Sequence, residues 1–373
     1  MELYIHIPFC EKKCAYCDFL SWKDSKENKK AYVEALLREI ENIPKEESAR
    51  EVSTIFIGGG TPSCLLGEQI EEIMHAVYEK FSLLENAEIS IEINPGTVDE
   101  KKLSSYKNAG INRLSFGLQS TVEEELQVMG RIHTYQTFEK NYHLARKLGF
   151  SNINIDLMMA VPKQTRESWK KSLKRVLDLS PEHISAYSLI IEEGTPFYDL
   201  DYDFSEEVER QMYEESLEIF RRHGYEQYEI SNYSKAGYRC RHNVGYWERE
   251  EYLGLGLGAA SLLGEVRWSN TKSFSDYLKS SFDLGKIRCD VEVLSVEAQM
   301  EETMFLGLRM IEGVKKADFF RKFQKSMKDI YGKQIADLKK QGLLEENEDF
   351  LYLTARGISL SNYAMAEFLE PKI

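Results

Sequence analysis

The sequence predicts an α/β protein: a partial TIM-like (β/α)6 barrel followed by a smaller C-terminal, winged-helix-like α+β domain. Three observations carry that expectation. Short apolar runs at residues 3–7, 52–57, 88–93, 113–117, 152–157 and 183–189 alternate with helical patterns such as residues 31–40 and 70–81, and such repetition builds parallel βαβ units. The rhythm then changes after Leu189. A chain of 373 residues also exceeds one small core and suits a large barrel with a satellite.

Right-handed crossovers wind six such units into a barrel or part of one, with ligands at the carboxyl ends of the strands. Beyond the sixth run an acidic stretch, residues 199–209, leads into a helix ending near Arg222, and a glycine-rich segment spans residues 252–261. The barrel is expected over residues 1–230 and a linker over 231–294. Residues 295–373 then read as helices at 297–310, 316–323 and 330–341, a hairpin at 343–353 and a last helix at 354–368. That order is winged-helix-like. Such modules often bind DNA, but 48 basic against 62 acidic residues, a net charge of -14, oppose a phosphate-rich partner. A packing or lid role is expected instead.

No apolar run reaches the ~18 residues of a membrane span. The six cysteines do not form a disulfide framework, since Cys64, Cys240 and Cys289 are dispersed. A soluble, cytoplasmic protein is expected.

The other three cysteines carry the chemistry. Cys10, Cys14 and Cys17 fall within eight residues behind the first strand, in Y-x-H-x-P-F-C-x-x-x-C-x-x-C. Three thiolates on one loop suit a soft metal centre and leave a 4Fe-4S cluster one iron short of four cysteine ligands. Two other readings share the spacing. The thiols could line one buried face of a helix, against which Pro8, Lys12 and Lys13 speak. They could hold zinc with His6, although zinc knuckles favour pairs two to four residues apart. The cluster is the favoured reading.

Tyr4, His6, Pro8, Phe9 and the three cysteines resemble the radical S-adenosylmethionine (SAM) superfamily, in the branch of oxygen-independent coproporphyrinogen III oxidase (HemN) and HemW. The resemblance implies a cluster whose open iron chelates SAM and a scaffold capable of reductive SAM cleavage. It also implies the SAM contacts. The strand end Gly58-Gly59-Gly60-Thr61-Pro62 is similar to the element that holds the SAM amino group, although a triple glycine alone reads equally as a tight turn. Glu92, Gln119 and Asp156 are each at a strand end or polar among apolar neighbours; Glu92 and Gln119 are matched to contacts with the SAM ribose or amino group, and Asp156 to a contact with the ribose or with a residue that holds SAM. Arg131, in Met129-Gly130-Arg131-Ile132-His133, is similar to the arginine near the SAM carboxylate, where a solvated arginine is the plain alternative. Tyr4 is expected on the cluster side and Tyr16 beside the adenine. One departure is the tail after the fifth strand, Met159-Ala160-Val161-Pro162-Lys163, where the family is glycine-rich.

Within the branch, the HemN-type oxidases carry a fourth cysteine where this chain has Phe19, and they carry an extension before the Tyr-x-His strand, whereas three residues precede Tyr4 here. Both differences oppose coproporphyrinogen decarboxylation, the alternative function. His242-Asn243-Val244-Gly245-Tyr246-Trp247 is instead similar to the H-N-x-x-Y-W signature of HemW-type heme chaperones. An imidazole suits an axial position on heme iron, and Tyr246 and Trp247 offer flat faces to a porphyrin. On the residues alone a hydrogen-bonded structural corner is the favoured reading, and the resemblance is what brings heme contact in. Cys240 is an alternative thiolate ligand, and Cys64 reads as packing. His75, His133, His143, His183 and His223 show no metal spacing. The resemblance therefore implies three cofactors, the cluster, SAM and heme. It implies a heme acceptor, perhaps a respiratory heme protein, and an electron donor for the cluster, and it leaves a homodimer open.

Overall fold

The computed structural model describes residues 1–200, 202 and 204–369. Asp201 and Asp203 of the acidic stretch, and positions 370–373 of the expected C-terminal domain, lie outside the described residues. The six expected strands form and pair in chain order: β1 (Glu2–Ile7), β2 (Val52–Gly59), β3 (Leu83–Ile93), β4 (Arg113–Gln119), β5 (Ile153–Met159) and β6 (His183–Ser188), each parallel to the next. Helices cross between them. The first, Lys26–Asn42, starts where the Ser25 side chain accepts the Asn28 N–H, leaving one fewer orphan donor in its first turn.

Period-two alternation decides which way each side chain points. Leu3, Ile5 and Ile7, Ile55 and Ile57, Ile89, Ile91 and Ile93, and Leu114, Phe116 and Leu118 share one buried apolar core with helix residues such as Tyr32, Leu36 and Ile40. The alternate positions face inward, and apart from Phe56 they are mostly polar: Tyr4, Glu92, Arg113, Ser115, Asn154, Asp156 and Ser185 line interior space. A typical barrel fills that space with layers of branched apolar side chains. Here it is left for polar contacts.

Residues 231–294, expected as a linker, carry regular structure. A hairpin of β7 (Glu226–Glu229) and β8 (Asn232–Ser234) pairs antiparallel to β6. At the other edge β9 (Tyr252–Leu255) runs parallel to β1, followed by antiparallel β10 (Ala260–Leu263), β11 (Val266–Asn270) and β12 (Arg288–Val293). The result is a single twelve-stranded sheet. Most of these added strands span only three to five residues, too short for a period-two pattern to stand out beside the glycines.

The C-terminal unit packs helices Val296–Gly307, Lys316–Phe323 and Met327–Lys340 on a small sheet of β13 (Val314–Lys315), β14 (Leu344–Glu346) and β15 (Phe350–Leu353) around its own core, which includes Met304, Phe319, Tyr331 and Phe368. The expected last helix is split into Ala355–Ser359 and Ser361–Ala366, because Leu360 leaves helical geometry at φ -117°, ψ 30°. Ion pairs dock this unit on the barrel. Arg249 and Arg267 share Glu302 at 2.8 and 2.5 Å, Arg309 reaches the fully buried Glu229 at 3.3 Å, and the Ile311 N–H donates to the Tyr228 carbonyl at 3.0 Å. No described helix is long and apolar enough to cross a membrane.

Candidate cofactor site

At the carboxyl end of the barrel a cavity of about 420 Å³ is lined by Cys10, Cys14 and Cys17 together with Tyr16, Gly59, Gly60, Thr61, Glu92, Gln119, Arg131 and Asp156. Its size is that of a small-molecule pocket, about 300–1,000 Å³. Residues from five strand ends and the loops after them thus meet at one place.

The cysteine loop is strapped rather than loose. The Ala15 N–H donates to the Met129 carbonyl and the Phe197 N–H to the Ala15 carbonyl, both at 3.0 Å, while Tyr16 joins an apolar cluster with Leu126, Met129, Met158 and Phe197. All three thiols are free. Thr61 Oγ1 lies 3.4 Å from Cys10 Sγ and Arg131 Nη1 lies 3.5 Å from Cys14 Sγ. Burial pushes the Cys17 thiol up. Donors and a guanidinium beside the sulfurs suit a cluster of thiolates, whose negative charge they offset. Zinc with His6 fits poorly, because its Nδ1 is hydrogen-bonded to Tyr4 OH at 3.1 Å and its Nε2 to the Leu20 carbonyl at 3.0 Å. Among the described residues no three His, Cys, Asp or Glu side chains converge on a point for a single ion. A cubane offers each sulfur a separate iron, so it makes no such demand.

Gly59 is required where it stands. Its φ is +107°, and a Cβ there would meet the His6 ring at 2.5 Å. Its N–H donates to Glu92 Oε2 at 3.1 Å. Desolvation, reinforced by nearby Asp156, pushes the Glu92 carboxyl up to about 8, and burial likewise raises Asp156. Gln119 also sits at positive φ, +69°, and accepts from Tyr187 OH at 2.9 Å. Such backbone is costly for a residue with a Cβ and is held by its surroundings. Arg131 is fixed by the Gly117 carbonyl and by Asn94 Oδ1 at 3.1 Å.

Tyr4 is the exception among the expected SAM contacts. It faces a separate inner chamber of about 240 Å³, below the first cavity. His242 and Tyr246, read with Trp247 as a heme surface, line the same chamber. His242 is 1% exposed at the base of the barrel, with Nδ1 2.8 Å from Thr54 Oγ1 and its ring stacked on Phe56 at 5.2 Å. Burial lowers its pKa to about 3. Tyr246 packs edge-on against it at 4.8 Å, and Trp247 faces Arg309 of the C-terminal unit. A chamber below ~300 Å³ is under the usual size of a cofactor pocket. Cys240, the alternative ligand, is buried too, its thiol raised to about 12 and 3.6 Å from Glu88 Oε1.

Sequence reasoning missed Asn94, Ser115, Gly117 and Tyr187, which also line the cavity. The signal was present, since Asn94 is two residues from Glu92 and Tyr187 is two from Ser185 on one inward face. It also missed the segment after β6, whose Ile190, 71% exposed, stands at the mouth with Phe19 at 59%.

Comparison with known proteins gives concordant results. Residues 4–176 match the family model described as Radical SAM superfamily, and residues 294–360 match the HemN C-terminal domain. The chain is 37% identical over 372 residues to "Heme chaperone HemW" of Bacillus subtilis, covering 98% of each protein. It is 34% identical over 381 residues to the protein of that name in Escherichia coli, covering 99% of this chain and 98% of the other. Among solved structures it is similar to coproporphyrinogen III oxidase (HemN) from Escherichia coli, with a TM-score of 0.86 at 26% identity, covering 98% of this chain and 89% of that one.

Proposed function

The chain belongs to the HemW family of radical SAM proteins, and on that footing we propose that it is a cytoplasmic heme chaperone that binds heme and delivers it to an acceptor protein. The observation that carries this reading is the single cavity shared by Cys10, Cys14 and Cys17 with the glycine strand end, Glu92, Gln119, Arg131 and Asp156, in a chain that aligns end to end with proteins named as heme chaperones.

Cys10, Cys14 and Cys17 would hold the 4Fe-4S cluster, which supplies one-electron chemistry and an open coordination position when bound. The chain's own residues do the rest. Gly59 and Gly60 let backbone polar groups approach a ligand, and Thr61 keeps a hydroxyl on the first sulfur. Glu92 and Asp156 present half-buried carboxyl groups suited to an ammonium or ribose hydroxyls. Arg131, half enclosed beneath the loop, offers positive charge to a carboxylate. Tyr16, packed with Phe197, closes the cavity on its apolar side.

Heme titration of the anaerobically reconstituted protein, followed by transfer to an apo-acceptor, tests the proposal. Heme that binds and then appears in the acceptor supports it. A protein that binds no heme rejects it. The acceptor is proposed to be a respiratory heme protein, and an electron donor would serve the cluster. The second reading, coproporphyrinogen III oxidase, is favoured by the structural likeness to HemN. Phe19 at the cavity mouth, where those oxidases resemble each other in having cysteine, speaks against it. Protoporphyrinogen formation from coproporphyrinogen III and SAM at enzymatic turnover would establish that second reading.

A further inference from the structure

The inner chamber has features that packing does not explain. It is walled by Tyr4, Glu92, Arg113, Ser115, Asn154, Asp156, His242 and Tyr246, among others, and it shares Glu92, Ser115 and Asp156 with the cysteine cavity above. Two nitrogens on fully buried side chains, His242 Nε2 and Arg113 Nε, have no protein partner. Unpaired buried polar groups are costly, and a polar space of about 240 Å³ has room for several waters at ~30 Å³ each.

The polar line continues below the chamber. His242 Nδ1 lies 2.8 Å from Thr54 Oγ1 and 3.8 Å from Glu2 Oε2, which is buried without a hydrogen-bond partner, and Thr54 stands beside the Glu2 carboxyl. Glu2 opens β1 at the end opposite the cysteine loop, next to Met1, whose amino group is at the surface. The strand between spans six residues, about 20 Å.

We propose that the chamber holds an ordered file of water which, with His242, Thr54 and Glu2, carries protons between Glu92 and the opposite face of the barrel. The inference rests on the reading that Glu92 faces the cationic cofactor. When positive charge arrives in the upper cavity, Glu92 loses a proton to the file. A proton enters His242 at Nε2 as another leaves Nδ1 for Thr54, whose hydroxyl proton passes to one oxygen of the Glu2 carboxyl group as the proton already held there leaves the other oxygen for solvent. The imidazole changes tautomer and its net charge stays zero, which suits a ring whose protonation is strongly disfavoured by burial and by Arg113. Glu92 is faced by Asp156, Arg113, Tyr4 and the Gly59 amide, and Glu2 by Thr54, His242, Glu250, Glu88 and the terminal amine. Covering the mouth with a bound ligand leaves this file as the way out.

The test is stopped-flow mixing of the cluster-loaded full chain with SAM in weak buffer containing a pH indicator. Wild type is expected to release a proton on binding, and Glu92→Gln to release none. Thr54→Val, which keeps the shape and removes the hydroxyl, should bind SAM with wild-type affinity while releasing the proton slower on the order of tenfold or more. His242→Phe should do the same, and Thr54→Ser should restore the fast phase. Release at the wild-type rate in both Thr54→Val and His242→Phe overturns the relay and leaves the Glu92 reading intact. A wild type that releases no proton, or a release that persists in Glu92→Gln, overturns the Glu92 reading and the relay with it.

Discussion

The guanidinium of Arg309 lies 4.4 Å over the ring of Trp247 while its Nη2 pairs with Glu229 at 3.3 Å. The end of the H-N-x-x-Y-W helix, Arg241–Trp247, is therefore a docking point for the C-terminal unit. Arg309→Ala leaves the buried Glu229 carboxylate without its cation and should destabilise the protein by roughly 3 kcal/mol. Urea unfolding measures the loss, and limited proteolysis near residue 294 should become faster. An unchanged midpoint would count against the docking role.

His242 is 1% exposed beneath the barrel. Heme titration of His242→Ala is expected to give the wild-type spectrum and affinity. A changed Soret band in the variant would restore the motif as a heme ligand.

Each of Cys10, Cys14 and Cys17 is needed for a three-thiolate cubane. Single alanine substitutions should abolish the brown chromophore after anaerobic reconstitution and bring iron from about four per chain to near zero. The apolar barrel core lies apart from the loop, so far-UV circular dichroism should be preserved. Full iron in any one variant would show that its sulfur is not a ligand.

Glu92 is raised to about 8, so below that pH it is largely protonated in the ligand-free protein. A cationic ligand prefers the carboxylate. SAM affinity should thus rise as pH increases from 6 to 8.5, and Glu92→Gln should flatten the profile. Isothermal titration at several pH values checks this.

Glu2 is also raised to about 8, chiefly by desolvation. Its folded pKa exceeds the unfolded value, so the native state holds the extra proton and stability is lost as pH rises from about 4.5 to 8. Glu2→Gln removes that loss. The variant should gain on wild type between pH 5 and pH 8 by an amount on the order of a few kcal/mol. Thermal melts at the two values decide it, and an equal gap at both would refute the assignment.

Much of the barrel was legible because parallel strands buried on both faces leave apolar runs with nearby helical patterns, and these survive without knowledge of the partners. The cysteine loop was legible for the same reason: its chemistry depends on residues within eight positions. The residues from 226 to 293 were not, since their strands are short and their meaning lies in which edge of the sheet they extend. The place of Tyr4 and His242 beside the inner chamber was not legible, because a residue's face can be read from alternation but its depth along the barrel cannot.

What the sequence determined by itself is the local chemistry: three thiols on one loop, polar residues at strand ends, and the order of the barrel. What the tertiary structure alone decided is which distant groups meet. Thr54 and His242 stand 188 residues apart and 2.8 Å from each other, and only the closure of β9 onto β1 brings the H-N-x-x-Y-W helix beneath the barrel instead of leaving it at the surface. The physical reason is that burial and cross-strand hydrogen bonds are properties of the assembled sheet, whose pairings no single stretch of chain encodes.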